Sequence, residues 1–152
     1  MPLRHLQHFL IQTTDLEGTT KWYEDVLGMK RGPHPDFKFP VEWLYLGDDD
    51  VLHLPEGGAG VSENRMQYLG QQSTATHGSG VVDHVAFRAD GLKDMLDNLR
   101  ARGEKFQTRQ VSNAGLFQIF LIDPNGVKVE LNFENAEAEG IESELLASED
   151  LA

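Results

Sequence analysis

The chain contains no cysteine among its 152 residues. This absence excludes disulfide bonds, thiolate metal sites and cysteine nucleophiles. Any metal ion bound by this protein must therefore have nitrogen and oxygen ligands, which histidine and carboxylate side chains supply. The chain has six histidines and 25 acidic residues.

Basic residues are also scarce, because 13 lysines and arginines stand against 25 acidic residues, for a formal net charge of -12. This balance disfavours a nucleic-acid partner, since phosphate backbones are bound through clustered positive charge. Residues 135–152 contain acidic residues but no lysine or arginine. We expect them to form an acidic C-terminal tail, of which a part with Leu145, Leu146 and Leu151 forms a short docked helix while the remainder is disordered.

Long apolar runs are absent as well. No stretch approaches the roughly 18 apolar residues that a membrane-spanning helix requires, and residues 1–5 lack the apolar core of a signal peptide. Together with the lack of cysteine, these features predict a cytoplasmic protein with no membrane partner. The composition, with 39% hydrophobic and 25% charged residues, is typical of a globular chain.

One sequence pattern occurs twice in the chain. His8 and His84 each lead into an apolar, strand-like run, and each is followed eight residues later by a leucine and a helix-like stretch. Each copy ends in a short apolar strand that carries one metal-ligand residue, His53 in the first copy and Glu130 in the second. The duplication therefore gives four candidate ligands at matching positions of two halves.

Periodicity and turn signals predict the elements of the first copy. We expect a strand over residues 4–12 and a helix over residues 16–27. Residues 29–40 contain several prolines and glycines, which disfavour regular structure. A hairpin is expected from strands at 41–47 and 50–54.

The second copy shows the same order of predicted elements. The pattern predicts an amphipathic helix over residues 91–102 and strands over residues 82–88, 105–111, 116–122 and 127–133. The segment between the copies is rich in glycine and serine, so we expect a linker that forms a flap or a crossover connection.

These elements divide the chain into a first module at 1–55, a linker at 56–80, a second module at 81–134 and the acidic tail at 135–152. A single module would leave one face of a small sheet uncovered. Pairing of the two modules supplies the missing layer and encloses a cleft. The predicted fold class is therefore α+β, with a strand, a helix and three strands in each module.

The four candidate ligands are His8, His53, His84 and Glu130. Side chains of a strand alternate between the two faces of a sheet, so matching positions in the two copies should point the same way. Neutral imidazoles and a carboxylate suit one divalent ion of Zn, Ni, Co, Fe or Mn. A single histidine here is more simply explained as a hydrogen-bonded, partly buried residue, whereas the symmetric set of four favours a metal.

Trp43 and Gln118 occupy matching third-strand positions when the two copies are aligned by sequence. We expect Gln118 to orient a substrate oxygen in the cleft, with a structural role as an even alternative. Trp43 has two alternative roles: it forms an apolar wall of the cleft, or it packs in the core.

The ordered motifs of both copies resemble the vicinal oxygen chelate superfamily, which includes glyoxalase I, methylmalonyl-CoA epimerase, type I extradiol dioxygenases, and bleomycin and fosfomycin resistance proteins. The resemblance covers roughly residues 5–134 and depends on the segments 8–16, 22–29, 83–87 and 123–131. It implies two paired βαβββ modules whose curved sheets form a metal cleft. His8, His84 and Glu130 match family ligand positions, and His53 stands where glyoxalases of this family usually have glutamate.

The resemblance implies a divalent-metal-dependent enzyme of the glyoxalase type. It would be a lyase or isomerase that acts on a small substrate with vicinal oxygens through a metal-stabilised enolate. Glu130 is then the candidate proton shuttle, and Gln118 the orienting group. Exchange of modules between subunits is common in this superfamily, so a homodimer is also expected.

Two alternatives stay open at the level of sequence. One is an Fe(II) or Mn(II) extradiol dioxygenase, in which His8, His84 and Glu130 bind the metal and His53 acts as an acid or base. The other is a non-enzymatic, drug-binding resistance protein, against which four intact ligand-type residues weigh.

Overall fold

The chain divides into two compact units, Met1–Gly78 and Ser79–Ala152. The computed structural model describes residues 2–142 and 145–146. None of the helices in this described part combines the length and the apolar character that a bilayer span requires.

The first unit is a four-stranded sheet with two helices. Its strand order is β1-β4-β3-β2, in which β1 runs parallel to β4 while the other neighbouring strands are antiparallel. The first helix packs on one face of this sheet and buries Tyr23 and Val26. The elements are β1 (Phe9–Leu10), α1 (Leu16–Leu27), β2 (Lys30–Gly32), β3 (Val41–Leu46), β4 (Asp49–Pro55) and α2 (Glu63–Leu69).

The second unit repeats the arrangement and adds one strand. Its order is β5-β8-β7-β6-β9, in which β5 runs parallel to β8 and β9 runs parallel to β6. The helix of this unit buries Leu92, Leu96 and Leu99. The elements are β5 (His84–Arg88), α3 (Leu92–Arg102), β6 (Gln107–Val111), β7 (Leu116–Ile122), β8 (Lys128–Glu134) and β9 (Leu145–Leu146), with short 3-10 helices at Ser112–Ala114 and Asn135–Ala138.

Both units therefore contain a strand, a helix and three strands in the same order, which confirms the predicted α+β class and its βαβββ modules. The predicted helix at 16–27 is confirmed to the residue. The first unit has its second strand at Lys30–Gly32, inside the segment 29–40 for which no regular structure was expected. A three-residue strand leaves too little sequence to show a period, and it forms because β3 offers an edge to pair with.

The strand predicted over residues 4–12 is wrong in its extent. Phe9 and Leu10 form the strand beside β4, and the backbone nitrogen of Ile11 still donates to the His53 carbonyl at 3.0 Å. Leu3 and Leu6 are 87% and 83% exposed, so the preceding residues do not pack on the sheet. A segment forms a strand only where a neighbouring strand is available for pairing. The sequence of the segment itself does not show where that neighbour ends.

The linker segment is more ordered than its composition predicts, because it contains helix α2. Ser62 caps this helix by accepting a hydrogen bond from the backbone of Arg65, and Gly70 ends it. Arg65 is only 3% exposed. Its guanidinium donates to the Glu56 carbonyl and to Gln12 Oε1, at 3.0 and 3.2 Å. These bonds fix the segment to the first unit.

The acidic tail also has a structural part. Glu137 Oε1 accepts from the backbone nitrogens of Gly91 and Leu92, at 2.9 and 3.1 Å, and so caps the start of α3. Leu145 and Leu146 form the strand β9 beside β6, so the short helix expected there is wrong. Residues 143–144 and 147–152 of the tail, including Leu151, lie outside the described residues.

The turn between β7 and β8 depends on one buried carboxylate. Asp123 is 4% exposed, and its Oδ1 accepts from the backbone nitrogens of Asn125 and Val127, both at 2.8 Å. Gly126 has a positive φ of 83°, which a residue with a side chain adopts only under strain. This turn sets the register that places Glu130 on β8.

We predict that Asp123→Ala lowers the free energy of unfolding by about 2 kcal/mol, because two backbone donors, of which that of Val127 is buried, lose their carboxylate acceptor. Asp48→Ala is the matched control, since Asp48 is exposed in the corresponding hairpin of the first unit, and a change within about 0.5 kcal/mol is expected. Urea denaturation measures both values. Equal, small effects of the two substitutions would contradict the role given to Asp123.

Candidate functional site

The first half of the candidate site lies where β1 meets β4. In this parallel pair Leu10 is opposite His53, and His8 lies two residues before Leu10, on the same face of the sheet. The rings of His8 and His53 are stacked, with centroids 3.8 Å apart and planes inclined by 16°. The pairing of the two strands therefore brings together the two histidines that the sequence predicted as ligands.

Asp50 completes this half and was missed by the sequence analysis. Its Oδ2 lies 2.7 Å from His53 Nε2, and one ligand atom from each of His8, Asp50 and His53 lies within 4.8 Å of the others. On a regular strand, residues three apart face opposite sides. Between the pairs Leu44–Leu52 and Leu46–Asp49, however, β4 contains one extra residue. This bulge turns Asp50 to the face of His53.

Electrostatics keep the imidazole of His53 neutral near pH 7. Its side chain is 10% exposed, and this burial lowers the pKa of His53 below the usual 6.5, although the hydrogen bond with Asp50 acts in the opposite direction. The hydrogen bond from His53 lowers the pKa of Asp50, which stays ionised. Metal binding requires a neutral imidazole, so His53 is already in the required state.

The second half of the candidate site lies where β5 meets β8. Ala86 is opposite Glu130 in this parallel pair, and His84 lies two residues before Ala86. His84 Nε2 is 3.5 Å from Glu130 Oε1, while His84 Nδ1 contacts Asp83 Oδ2 at 2.7 Å. Asp83 is in turn paired with Lys128 Nζ at 2.8 Å. His84 thus has one nitrogen held by a carboxylate and the other directed toward Glu130.

A chain of hydrogen bonds fixes Glu130 from the other side. Asn132 Nδ2 donates to Glu130 Oε2 at 2.8 Å, and Gln118 Nε2 donates to Asn132 Oδ1 at 2.9 Å. Arg109 Nε donates to Gln118 Oε1 at 3.1 Å. We call Arg109, Gln118, Asn132 and Glu130 the polar ladder. It crosses three strands of one sheet face and leaves Glu130 Oε1 on the side of His84.

The two halves correspond in register, with one correction. His8 and His84 take the same place relative to the paired positions Leu10–His53 and Ala86–Glu130. In the third strand Trp43 is opposite His53, and Phe120 is opposite Glu130. Trp43 therefore corresponds to Phe120, and the expected equivalence of Trp43 with Gln118 is wrong by two residues. A shift of two preserves the face of a strand, so the hydrophobic pattern did not reveal it.

The donors of both halves fit a divalent metal in chemistry. With metal–ligand bonds of about 2.0–2.2 Å, two ligands in tetrahedral geometry are about 3.4 Å apart, close to the 3.5 Å between His84 and Glu130. A carboxylate behind a ligand histidine, as Asp83 stands behind His84, is the usual outer support of such a site. The stacked arrangement of the His8 and His53 rings is less suited to binding one metal ion. A metal lies near the plane of each imidazole that binds it, so one ring must turn before both can bind one ion.

An apolar pocket opens beside His53 in the first unit. Trp43 stacks on His53 with centroids 3.8 Å apart and planes inclined by 5°. The pocket has a cavity volume of about 50 Å³ behind an open mouth, and its lining includes Trp43, Phe37, Phe39 and Tyr68. Trp43 therefore forms a wall of a pocket whose lining also includes His53, a candidate metal ligand.

Comparison with known proteins gives matches over most of the chain. The family described as the glyoxalase/bleomycin resistance protein/dioxygenase superfamily matches residues 5–131. Biphenyl-2,3-diol 1,2-dioxygenase 3 of Rhodococcus globerulus is 30% identical over 86% of the chain, which spans only 63% of the length of that dioxygenase. Lactoylglutathione lyase of Haemophilus influenzae is 27% identical over 81% of the chain and 87% of its own length.

A solved structure shows the same fold. An integron cassette protein from the mobile metagenome of V. cholerae matches with a TM-score of 0.66 and 21% identity, over 88% of this chain and 97% of that protein. At this identity the likeness concerns the fold alone.

We predict that in the metal-free protein the imidazole of His53 titrates below pH 6.5, and that Asp50→Asn lowers this pKa further. The substitution removes the carboxylate that raises the pKa and leaves the effect of burial in place. Two-dimensional NMR of the imidazole resonances measures both values, with exposed His77 as internal control. An unchanged or higher pKa in the Asp50→Asn protein would contradict the assigned contact.

Proposed function

Because the chain belongs to the glyoxalase/bleomycin resistance protein/dioxygenase superfamily, we propose that it is a divalent-metal-dependent enzyme of the glyoxalase type that acts on a small substrate with vicinal oxygens. The observation that carries this proposal is the arrangement of His84 and Glu130. Their facing atoms are 3.5 Å apart, and each side chain is held from behind, by Asp83 and Asn132 respectively. Two preorganised donors on one sheet face suit a metal site.

We further propose that His8, His53, His84 and Glu130 hold one Zn, Ni, Co, Fe or Mn ion. Support comes from their matching register in the two units, where His53 and Glu130 each lie opposite the residue two positions after a histidine. The metal would supply a Lewis acid that stabilises negative charge on a substrate oxygen.

In this proposal Glu130 moves the proton. One carboxylate oxygen accepts from Asn132 at 2.8 Å, so the group has a fixed orientation, and the carboxylate takes and returns a proton of the substrate. One amide hydrogen of Gln118 goes to Asn132, and the other is offered to a substrate oxygen. Arg109 holds the carbonyl end of the same amide.

An extradiol dioxygenase is the second candidate. The near-parallel stacking of His8 and His53 favours a site in which only one of these two rings binds the metal. His8, His84 and Glu130 then form the two-histidine, one-carboxylate set of Fe(II) oxygenases. His53, held by Asp50, would serve as an acid or base. The likeness to the Rhodococcus dioxygenase points the same way.

Metal analysis followed by an activity screen tests the two candidates. The protein is purified without chelator or added metal, and then assayed metal-replete against hemithioacetals, acyl-CoA epimers and catechols. Turnover of a hemithioacetal or an epimer with Ni, Co or Zn supports the first candidate, and ring cleavage of a catechol with Fe(II) or Mn(II) supports the second. Failure to bind any divalent metal would overturn both and leave a drug-binding protein as the function.

We predict that Glu130→Gln keeps the metal but lowers turnover by at least about 100-fold, since an amide cannot shuttle a proton near neutral pH. Glu134→Gln is the control, because Glu134 lies on the same strand and is 68% exposed. Metal content and single-turnover rates are measured together. Near-normal turnover of the Glu130→Gln protein with metal bound would reduce Glu130 to a ligand.

We also predict a homodimer in which subunits exchange modules, so that His8 and His53 of one subunit share a metal with His84 and Glu130 of the other. Inactive His8→Ala and Glu130→Ala proteins are unfolded, mixed and refolded together. Exchanged heterodimers then contain one intact site out of two, and activity returns to about a quarter of the wild-type value in an equimolar mixture with random pairing. A mixture that stays inactive would show sites within single chains, and a strictly monomeric protein at micromolar concentration would exclude the dimer.

A further inference from the structure

We propose that Asp50 is a third metal ligand of the first unit, so that His8, Asp50 and His53 form a site that takes up a divalent ion without ligands from the second unit. The inference concerns the ion of the proposed function and rests on that function for the role of the ion. It adds a ligand and a binding step, because Asp50 is not among the four candidate ligands that the repeated pattern predicts.

The ligand atoms of this cluster lie close to one another. One nitrogen or oxygen atom from each of His8, Asp50 and His53 lies within 4.8 Å of the other two. Among the residues that the structure describes, no other group of three histidine or carboxylate side chains comes this close. Two imidazoles and one carboxylate are the donor set of many Fe(II) sites, and imidazole and carboxylate donors also bind Zn and Co.

Asp50 and His53 already meet at nearly the spacing of two neighbouring ligands. Asp50 Oδ2 lies 2.7 Å from His53 Nε2. Bonds of about 2.1 Å place two adjacent donors of an octahedral ion about 3.0 Å apart, so a small separation of the two side chains admits an ion. The hydrogen bond between them is then replaced by two bonds to the ion, and the neutral imidazole carries its proton on Nδ1.

The negative charge of Asp50 is not balanced by a basic residue. Its side chain is 30% exposed, and within the described part of the chain its ion-pair partner is His53, with no lysine or arginine in reach. Asp83 in the second unit differs, because Lys128 Nζ lies 2.8 Å from the carboxylate oxygen that contacts His84. A carboxylate with a lysine partner suits the outer support of a ligand histidine. A carboxylate without one, beside a neutral imidazole, suits a direct bond to a cation.

The two stacked imidazoles can bind one ion after His8 turns. His53 is confined, because its ring lies between those of His8 and Trp43 and its side chain is only 10% exposed. His8 precedes β1, and its Nδ1 contacts Oε1 of the adjacent Gln7 at 2.9 Å. Rotation of the His8 side chain therefore gives up the stacking contact and one exposed hydrogen bond. Bonds to the ion replace both.

The bulge in β4 selects Asp50 from a run of three aspartates. It turns Asp50 to the face of His53, although residues three apart on a regular strand face opposite sides. Bulges of this kind often redirect a side chain next to a functional site. Asp48 and Asp49 are exposed and stay outside the cluster, so Asp49 offers a matched control one residue away.

Calorimetric titration of the full-length, metal-free protein with Co(II) at neutral pH tests the site. Asp50→Asn keeps an acceptor for the hydrogen bond of His53 but removes the charged ligand, so the affinity for Co(II) should fall by at least about tenfold. Asp49→Asn should leave the affinity within about twofold of the wild-type value, because the Asp49 side chain is outside the cluster.

A second variant tests uptake by the first unit alone. The His84→Ala/Glu130→Ala protein should still bind one Co(II) per chain, more weakly than the wild type, because the three ligands of the first unit remain. Addition of Asp50→Asn to this protein should abolish the remaining binding. Loss of all Co(II) binding in the His84→Ala/Glu130→Ala protein itself would contradict uptake by the first unit.

A crystal structure of the Co(II)-loaded protein separates a direct ligand from an outer support, since anomalous scattering locates the ion. We expect an Asp50 oxygen about 2.1 Å from Co(II). An Asp50 carboxylate that stays on His53 and lies beyond about 3.5 Å from the ion would overturn the inference. Equal affinity of the wild type and Asp50→Asn would do the same.

The outcomes distinguish this inference from the proposed function. Co(II) bound by the four predicted ligands, with Asp50 apart from the ion, would refute the Asp50 site and leave the proposed function standing. Co(II) held by His8, Asp50 and His53 alone, with no bond to His84 or Glu130, would support the Asp50 site and refute the four-ligand centre. A wild-type protein that binds no Co(II) would overturn both.

Discussion

The parallel pairing of the first strand with the last strand in each unit is the constraint on which the candidate site depends. Leu10 is opposite His53, and Ala86 is opposite Glu130. Each pairing joins residues more than 40 positions apart and places a histidine two residues before the paired position, on the same face as the ligand opposite. The helix between the strands makes this parallel arrangement possible, because parallel strands need a long crossover connection. The hairpin strands then extend the same face and surround each pair of ligands.

The two units carry different side chains on this shared frame. In the first unit the face around His53 carries Trp43 and an aromatic pocket. In the second unit the corresponding face carries the polar ladder, which orients Glu130 through Asn132 and Gln118. The first unit thus offers apolar contacts beside His53, and the second unit holds Glu130 in one orientation.

Sequence reasoning succeeded where a periodic pattern is long and failed where tertiary pairing decides. The helix at 16–27 and the strand at 116–122 were predicted to the residue, because each has a clear period and a turn or cap at its ends. Asp50 was missed because the bulge in β4 reverses the alternation on which face assignment depends. Helix α2 was hidden in a segment with many glycines, although the cap Ser62 and the terminal Gly70 were visible signals. Repeat symmetry predicted that His8 and His84 take matching places in the two units, and the strand registers agree with this; the role of the four residues as metal ligands stays a prediction.

The central claim is that each unit supplies half of the ligands of one metal ion. Calorimetric titration of the metal-free protein with Co(II) tests it directly, using the wild type, His8→Ala from the first unit and His84→Ala from the second. The account predicts one ion per chain in the wild type, and a loss of affinity of at least about tenfold in both variants, since each removes a direct ligand. Two ions per chain, or a wild-type affinity that either substitution leaves unchanged, would contradict it.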